Sequence, residues 1–299
     1  MTRLQRRESL LGWAFVGPAT AHLALFALFP IAYAAYVSTF KWNIANGHHA
    51  FVGGGNYAFS LREQAFWNAL WNSFRYTAVG VPLGMALALA VALLVNQRLR
   101  GVTIFRTLYY IPAISSGVAT AMLWIYVFLP TNGLVNVVLL WLHVNDKTHT
   151  TDFINNASTA MWVLVVMSVF TGLGPRMVLY LAGLVGIPGS LYEAASLDGA
   201  SGWSSFKRIT LPMLLPTSLF VLVTSTISAM QLFTPVYMIT KGGPDMTTDV
   251  VGYHIYTEAW VDFNVGLASA KSFILLVAIA GISIVQFRLV RANLADYSA

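Results

Sequence analysis

One short stretch of the chain combines acidic, small and turn-forming residues at spacings suited to binding a partner protein. Its defining residues are Glu193, Ala194, Ala195, Asp198, Gly199, Ile209, Leu211 and Pro212. Ser190 and Glu193 fit an S-x-x-E capping box and Gly199 fits a helix stop, so we predict a helix over Leu191–Asp198. A helix of roughly eight residues is not stable alone in water. It must be held by its flanking segments or by a partner's groove.

Patterns for catalysis, nucleotide binding and metal binding are missing from the sequence. No G-x-x-x-x-G-K-[ST] occurs, since neither Lys147-Thr148 nor Lys271-Ser272 follows the required glycines. G-x-S-x-G and H-E-x-x-H are also absent, cysteine is not used, and the adjacent His48 and His49 are expected to be solvated. We therefore predict no catalytic residue, no metal and no cofactor on this chain. Any ATP must be handled by another subunit.

The composition indicates a membrane protein, with 57% hydrophobic and 9% charged residues where a soluble domain has about 25% charged. Six apolar segments lie near Leu11–Val37, Tyr76–Val95, Leu108–Leu129, Ala160–Val185, Ile209–Phe233 and Val265–Phe287. About 20 helical residues cross the hydrocarbon core, and lipid demands that every backbone group be paired. We predict an all-α protein with six transmembrane helices, forming a single domain over residues 1–299. The first segment is too long for a signal peptide and is expected to be retained.

Loop charges predict the orientation in the membrane. The set on the side of the N-terminus is Arg3, Arg6, Arg7, Arg98, Arg100, Arg106, Lys207, Arg208, Arg288 and Arg291. The opposite loops hold Lys41, Arg62, Lys147 and Lys241. Ten against four places both termini and the loop near 186–208 in the cytoplasm. A basic inner face indicates contact with anionic lipid and no nucleic acid.

The acidic residues bear on a rival interpretation, a secondary transporter coupled to an ion gradient. All eleven Asp and Glu residues lie outside the six apolar segments. Ion-coupled carriers usually need a carboxylate within the membrane. The secondary transporter is kept as the alternative, and capture of a cognate ATPase would separate the two.

The predicted loop helix also carries a family resemblance. The pattern E-A-A, three residues, G, nine residues, I-x-L-P resembles the motif of permease subunits of binding-protein-dependent ABC importers, and it is complete here. Other segments resemble the carbohydrate-uptake branch, especially the first permease of maltose- and glycerol-phosphate-type systems. They are Phe51-Val52-Gly53 with Asn56-Tyr57, Asn68 to Ser73, Leu99-Arg100-Gly101, Phe105-Arg106-Thr107, Ile111-Pro112, Gly133 to Asn136, and Lys241 to Pro244. Arg176 departs from the pattern, which has a neutral residue in the fourth span.

The resemblance implies a type I ABC-importer permease fold with a short cytoplasmic coupling helix. It further implies a multi-pass protein of a bacterial or archaeal plasma membrane that forms half of a translocation path for sugars, polyols or glycerol phosphates. The implied partners are a second, different permease, a dimer of ATP-binding subunits that use ATP and Mg, an extracytoplasmic substrate-binding protein, and membrane lipid.

Polar residues within the later spans are candidates for the substrate path. We select Thr171, Arg176, Thr224, Ser228 and Gln231, and note Ser168 and Ser225 beside them. Thr224, Ser228 and Gln231 are spaced i, i+4 and i+7 and should share one helical face. Such a face suits a sugar, although Ser and Thr also serve helix packing. Arg176 either snorkels or lines the path, and Lys271 is expected to snorkel.

Overall fold

The computed structural model describes residues 3–47, 49–97, 101–144 and 150–298, and most of these residues are helical. The helices are α1 (Arg3–Leu23), α2 (Phe29–Ser38), α3 (Gly55–Ser60), α4 (Gln64–Val95), α5 (Val102–Ile114), α6 (Gly117–Val127), α7 (Leu134–Trp141), α8 (Ala160–Thr171), α9 (Leu173–Val185), α10 (Gly189–Leu197), α11 (Gly202–Ser205), α12 (Leu211–Met213), α13 (Leu215–Met230), α14 (Val251–Tyr256) and α15 (Val265–Ser298). Short π-helical segments occupy Ala24–Leu28, Phe206–Thr210, Val236–Thr240 and Thr257–Val261. Among the residues named above, His48, Arg98, Leu99, Arg100 and Lys147-Thr148 lie outside the described ranges.

The spans take two forms. Within the described residues, Leu11–Ser38, Gln64–Val95 and Val265–Val290 are long and apolar enough to cross a membrane as continuous helices. Three further candidates are bent pairs: α5 with α6 at 102°, α8 with α9 at 45°, and α11–α12 with α13 at 62°. Counting each pair as one span gives the six transmembrane helices that the sequence predicts. The break between α5 and α6 follows from the extended backbone of Ser115 and Ser116.

By its contacts the chain divides into two compact units, Met1–Glu63 with Ile255–Leu276 and Gln64–His254 with Val277–Ala299. The first unit contains a small antiparallel hairpin, β1 (Phe40–Trp42) with β2 (His49–Phe51), in which Phe40 pairs with Phe51. This hairpin was not predicted from the sequence, because strands of three residues carry no periodic signal. The prediction of one domain over the whole chain stays a prediction.

Asn56 and Tyr57 hold the hairpin to α2. The Asn56 side chain donates to the carbonyl oxygens of Ser38 and Phe40, both at 2.8 Å, and the hydroxyls of Tyr57 and Ser38 lie 2.7 Å apart. The N-Y pair of the loop after the first span is therefore a structural anchor for the end of that span.

Lys271 is buried in the first unit, so the expectation that it snorkels is wrong. Its side chain is 0% exposed, and its Nζ lies 2.8 Å from Glu63 Oε2 and 2.6 Å from Glu258 Oε2. Glu258 also accepts a hydrogen bond from the Asn264 amide at 3.1 Å. A buried ammonium is tolerated only with opposite charge beside it, and two carboxylates from segments outside the spans supply that charge.

The second unit is organised around α4. A stripe of small buried residues, Gly80, Gly84, Ala88 and Ala92, recurs every four residues along this helix. Small residues allow close helix approach, and α4 packs against α8, α9 and α13. Ala88 and Ala92 belong to an apolar core shared with Met177 and Tyr180 of α9. The fourth and fifth spans are thereby fixed against the second.

Candidate coupling loop and transport cavity

The coupling-loop helix is α10, which follows the end of α9 by a short turn. It begins at Gly189 after Pro188, whose extended backbone forms the N-cap, so the predicted capping box of Ser190 and Glu193 is wrong. Proline fixes its own φ and sets the helix start two residues earlier than the serine would. Ser190 is consequently inside the helix, and the structure records no side-chain cap at Pro188.

Gly199 ends this helix as predicted. Its φ is +73°, a left-handed conformation that glycine adopts at no steric cost. The Gly199 N–H donates to the Ser196 carbonyl at 3.2 Å, and the Ala200 N–H donates to the Ala195 carbonyl at 2.9 Å. This pair of bonds is the Schellman motif, and it satisfies carbonyls that the helix end leaves open.

The helix is attached to the fifth span through one half-buried face. The hydroxyls of Tyr192 and Thr210 lie 2.9 Å apart, and Tyr192 and Ile209 pack against the core around α9. Of the other motif residues, Ala195 and Pro212 are half-buried. The remainder, Glu193, Ala194, Asp198, Gly199 and Leu211, are exposed.

Two large apolar side chains near the loop are exposed and were not selected from the sequence. Leu197 at the end of α10 is 90% exposed, and Trp203 in α11 is 73% exposed. Each is a large apolar residue next to turn-forming residues in a polar loop, and this sequence pattern could have identified both. With the exposed acids they form a mixed surface of the kind that a protein partner covers.

A cavity of about 390 Å3 lies among α4, α5, α6, α8, α9 and α13. Its size falls in the range of small-molecule sites. The polar groups on its wall come from Tyr76, Ser115, Thr120, Ser168, Thr171, Arg176, Ser225 and Ser228. Such groups can bind hydroxyls and anions, and they form no nucleophile–base pair.

Arg176 lines this cavity, and its part in a substrate path stays a prediction. Its Nε donates to the Ser225 hydroxyl at 3.1 Å, and its buried Nη1 has no hydrogen-bond acceptor among the described residues. Gly84 and Gly172 make room for the guanidinium: a Cβ on Gly172 would lie 2.8 Å from Nη1, and one on Gly84 would clash with it. Glycine on α4 and glycine at the junction of α8 and α9 thus leave the space that this guanidinium occupies.

The other path candidates are divided by the structure. Thr171 and Ser228 line the cavity, whereas Thr224 and Gln231 lie outside the set of described residues on its wall. Thr224 donates to its own helix at the Phe220 carbonyl, 2.7 Å away. The expected common face ends early, because α13 stops at Met230 and Gln231 is its C-cap. A role for Thr224 and Gln231 stays a prediction without support from the cavity.

Five further polar residues line the cavity wall: Tyr76, Ser115, Thr120, Ser168 and Ser225. The predicted face of the fifth span included Thr224, but the next residue, Ser225, lines the cavity instead. Ser168 lines the cavity as well, near Thr171. Tyr76 was missed because it stands at the first position of an apolar segment. A tyrosine at that place is equally expected of an interfacial anchor.

Known proteins are similar to this chain in sequence and in fold. Residues 80–294 match the family described as the binding-protein-dependent transport system inner membrane component. The probable ABC transporter permease protein YesP of Bacillus subtilis is 34% identical, over 96% of this chain and 92% of its own length. The lactose transport system permease protein LacF of Rhizobium radiobacter is 32% identical, over 95% of each. A crystal structure of a bacterial ABC transporter involved in import of the acidic polysaccharide alginate has a matching chain with a TM-score of 0.84 at 22% identity, covering 97% of this chain and 99% of that one.

The family match covers more than half of the chain and includes the coupling loop and every cavity-lining residue except Tyr76. The permease relatives align over nearly their whole length. This chain belongs to the family of inner membrane components of binding-protein-dependent transport systems, the permease subunits of ABC importers.

Proposed function

We propose that this permease imports a carbohydrate or a related polyol or glycerol phosphate. The observation that carries the proposal is the cavity within the second unit, whose wall offers several hydroxyl groups beside an aromatic ring, Tyr76. Hydroxyl-rich ligands need matching donors and acceptors, and weak binding is required because an importer must release its cargo. The similarity to a lactose permease over nearly the full length agrees with this class.

Coupling to ATP hydrolysis is assigned to α10 and the turn after it. The helix is short, exposes Glu193 and Leu197, and is joined to the fifth span through Tyr192 and Thr210. A groove on a cytoplasmic ATPase subunit would cover the exposed face. Movement of that subunit would then bias the permease between two states that differ in affinity for cargo.

The complete importer would contain a second, different permease, two ATPase subunits that use ATP and Mg, and an extracytoplasmic binding protein. Both termini of this chain and α10 would face the cytoplasm. The loop charges support this orientation, and the even number of spans before α10 agrees with it.

A pair of matched substitutions tests the assignment of the loop. Leu197→Asp places a charge on the exposed end of α10, and Leu142→Asp makes the same change at the exposed end of α7. The complete complex is purified through a tag on this chain, and ATP-driven uptake of labelled sugars is measured in proteoliposomes. We expect Leu197→Asp to lose ATPase capture and uptake together, while Leu142→Asp keeps both. Capture and uptake at the normal level in Leu197→Asp would contradict the assignment.

A further inference from the structure

We propose that the cargo carries a negative charge, a carboxylate or a phosphate, and that Arg176 binds that charge in the cavity. The inference rests on the proposed function and narrows its substrate class. Arg176 is the only charged side chain among the described residues that line the cavity. The charge on the guanidinium therefore has no counter-charge on the cavity wall.

The environment of Arg176 is arranged for a ligand and not for an internal ion pair. Within the part of the chain that the structure describes, ion pairs form at Lys271 and at His254, and none forms at Arg176. One edge of the guanidinium is fixed by the bond from Nε to Ser225, and the buried Nη1 is left without an acceptor. A buried donor without a partner is costly, and a buried charge without one costs more.

An anion resolves this cost better than a neutral hydroxyl does. Guanidinium binds carboxylate and phosphate through paired, charge-assisted hydrogen bonds, which are about twice as strong as neutral ones. The glycines at 84 and 172 leave space for the guanidinium, and the bond from Nε to Ser225 orients it before the ligand arrives. The uncharged part of a sugar would meet the hydroxyls of Ser228 and Thr171 on the same wall; the Thr171 hydroxyl donates to the Met167 carbonyl at 3.0 Å and can accept a hydrogen bond from the ligand.

The test uses the complete complex in proteoliposomes with two pairs of labelled probes. Digalacturonate is compared with digalactose, and sn-glycerol 3-phosphate with glycerol, so that the arms separate a carboxylate from a phosphate. Each variant is compared with the unaltered complex on the same probe, which cancels the selectivity of the binding protein. The variants are Arg176→Gln, Arg176→Lys, and the control Arg75→Gln, an exposed arginine of α4 outside the cavity wall.

We expect Arg176→Gln to lower uptake of an acidic probe by about 10-fold or more per assembled complex, with Arg176→Lys in between. Uptake of a neutral probe should change by about 2-fold at most, and Arg75→Gln should behave as the unaltered complex. In a second measurement, millimolar acidic probe should raise the melting midpoint of the unaltered complex and leave that of Arg176→Gln unchanged.

Three results would overturn the inference. The first is uptake of neutral probes alone by the unaltered complex. The second is an equal loss for acidic and neutral probes in Arg176→Gln, and the third is a melting midpoint that no acidic probe shifts. In all three the ATPase subunits still copurify with this chain. Failure of the proposed function would look different, because the unaltered chain itself would then capture no ATPase subunits and show no ATP-driven uptake of any probe.

Discussion

The buried ion cluster of the first unit gives a prediction of defined size. Lys271 is 0% exposed and lies between the carboxylates of Glu63 and Glu258, at 2.8 and 2.6 Å. Lys271→Met keeps most of the apolar stem and removes the positive charge. The substitution leaves two carboxylates facing each other with no cation between them.

The magnitude follows from the burial of the cluster. Breaking a buried ion pair by removing one partner costs about 3–5 kcal/mol, because the remaining charge is uncompensated. Glu258 is 10% exposed at its side chain and Glu63 is 23% exposed, so water reaches the cluster mainly at Glu63. At roughly 2–4 °C for each kcal/mol, Lys271→Met should lower the melting midpoint by about 6–20 °C.

The assay is thermal unfolding of the purified complex in lipid nanodiscs, followed by loss of the monodisperse peak on size exclusion. Lys41→Met is the matched control, since Lys41 is exposed in β1 of the same unit. Surface substitutions change stability by about 0.5 kcal/mol or less, so the control should move by about 1–2 °C. Glu258→Gln is combined with Lys271→Met to complete a double-mutant cycle.

The cycle decides whether charge is the cause. If it is, Lys271→Met should cost less in the Glu258→Gln background, where one of the two uncompensated charges is already gone. Equal costs in both backgrounds would mean that lost packing around the stem explains the effect. A Lys271→Met midpoint that matches the Lys41→Met midpoint would refute the reasoning altogether.

Four further substitutions and one control probe the loop, the orientation and the cavity. Gly199→Asp places a side chain at a left-handed backbone position, which costs about 1–2 kcal/mol. Glu193→Lys reverses an exposed charge of α10. Both should lower uptake and ATPase capture together, while a blot of the membrane fraction should show that the protein is still inserted. Ser196→Cys introduces a single cysteine into a chain without any, and an impermeant thiol reagent should label it in inverted vesicles and not in intact cells. Gly84→Ala should displace the cavity guanidinium and lower uptake per complex, whereas Gly281→Ala, which has open space around it, should leave uptake unchanged.

Residues in the family-like segments were predictable as a group, but their individual roles were not. Asn72 donates to the carbonyls of Met246 and Asp249, at 3.0 and 2.9 Å, and Ser73 accepts from the Val251 N–H at 2.9 Å. These bonds tie the start of α4 to a loop about 175 residues later, as the separations of 174 and 177 show. Sequence spacing cannot reveal a contact over such a distance, so the resemblance marks the residues and only the structure gives the reason.

Features that depend on neighbouring residues were predictable from the sequence, whereas features that depend on residues far away in the chain were not. The stop at Gly199 was predictable because a left-handed C′ glycine depends on local geometry alone. The burial of Lys271 was not predictable from the sequence, because its partners Glu63 and Glu258 lie 208 (271 − 63) and 13 (271 − 258) residues before it in the chain. The place of Arg176 was open for a similar reason, since its space depends on Gly84 of another helix.

The cavity and the coupling loop are linked by the two helices between which the loop is inserted. Val185, the last residue of α9, lies nine residues after Arg176, about 14 Å along the helix, and Leu215, the first residue of α13, lies ten residues before Ser225, about 15 Å. At the cavity end the two helices are tied by the bond from Arg176 to Ser225. Near the loop the two helices approach closely, since there is no room for a side chain at Gly183: a Cβ there would lie 2.6 Å from the Thr217 hydroxyl oxygen. A displacement of α10 would therefore act on a helix pair that packs closely near the loop and is hydrogen-bonded at the cavity, and Arg176, the residue proposed to bind the cargo charge, donates that hydrogen bond.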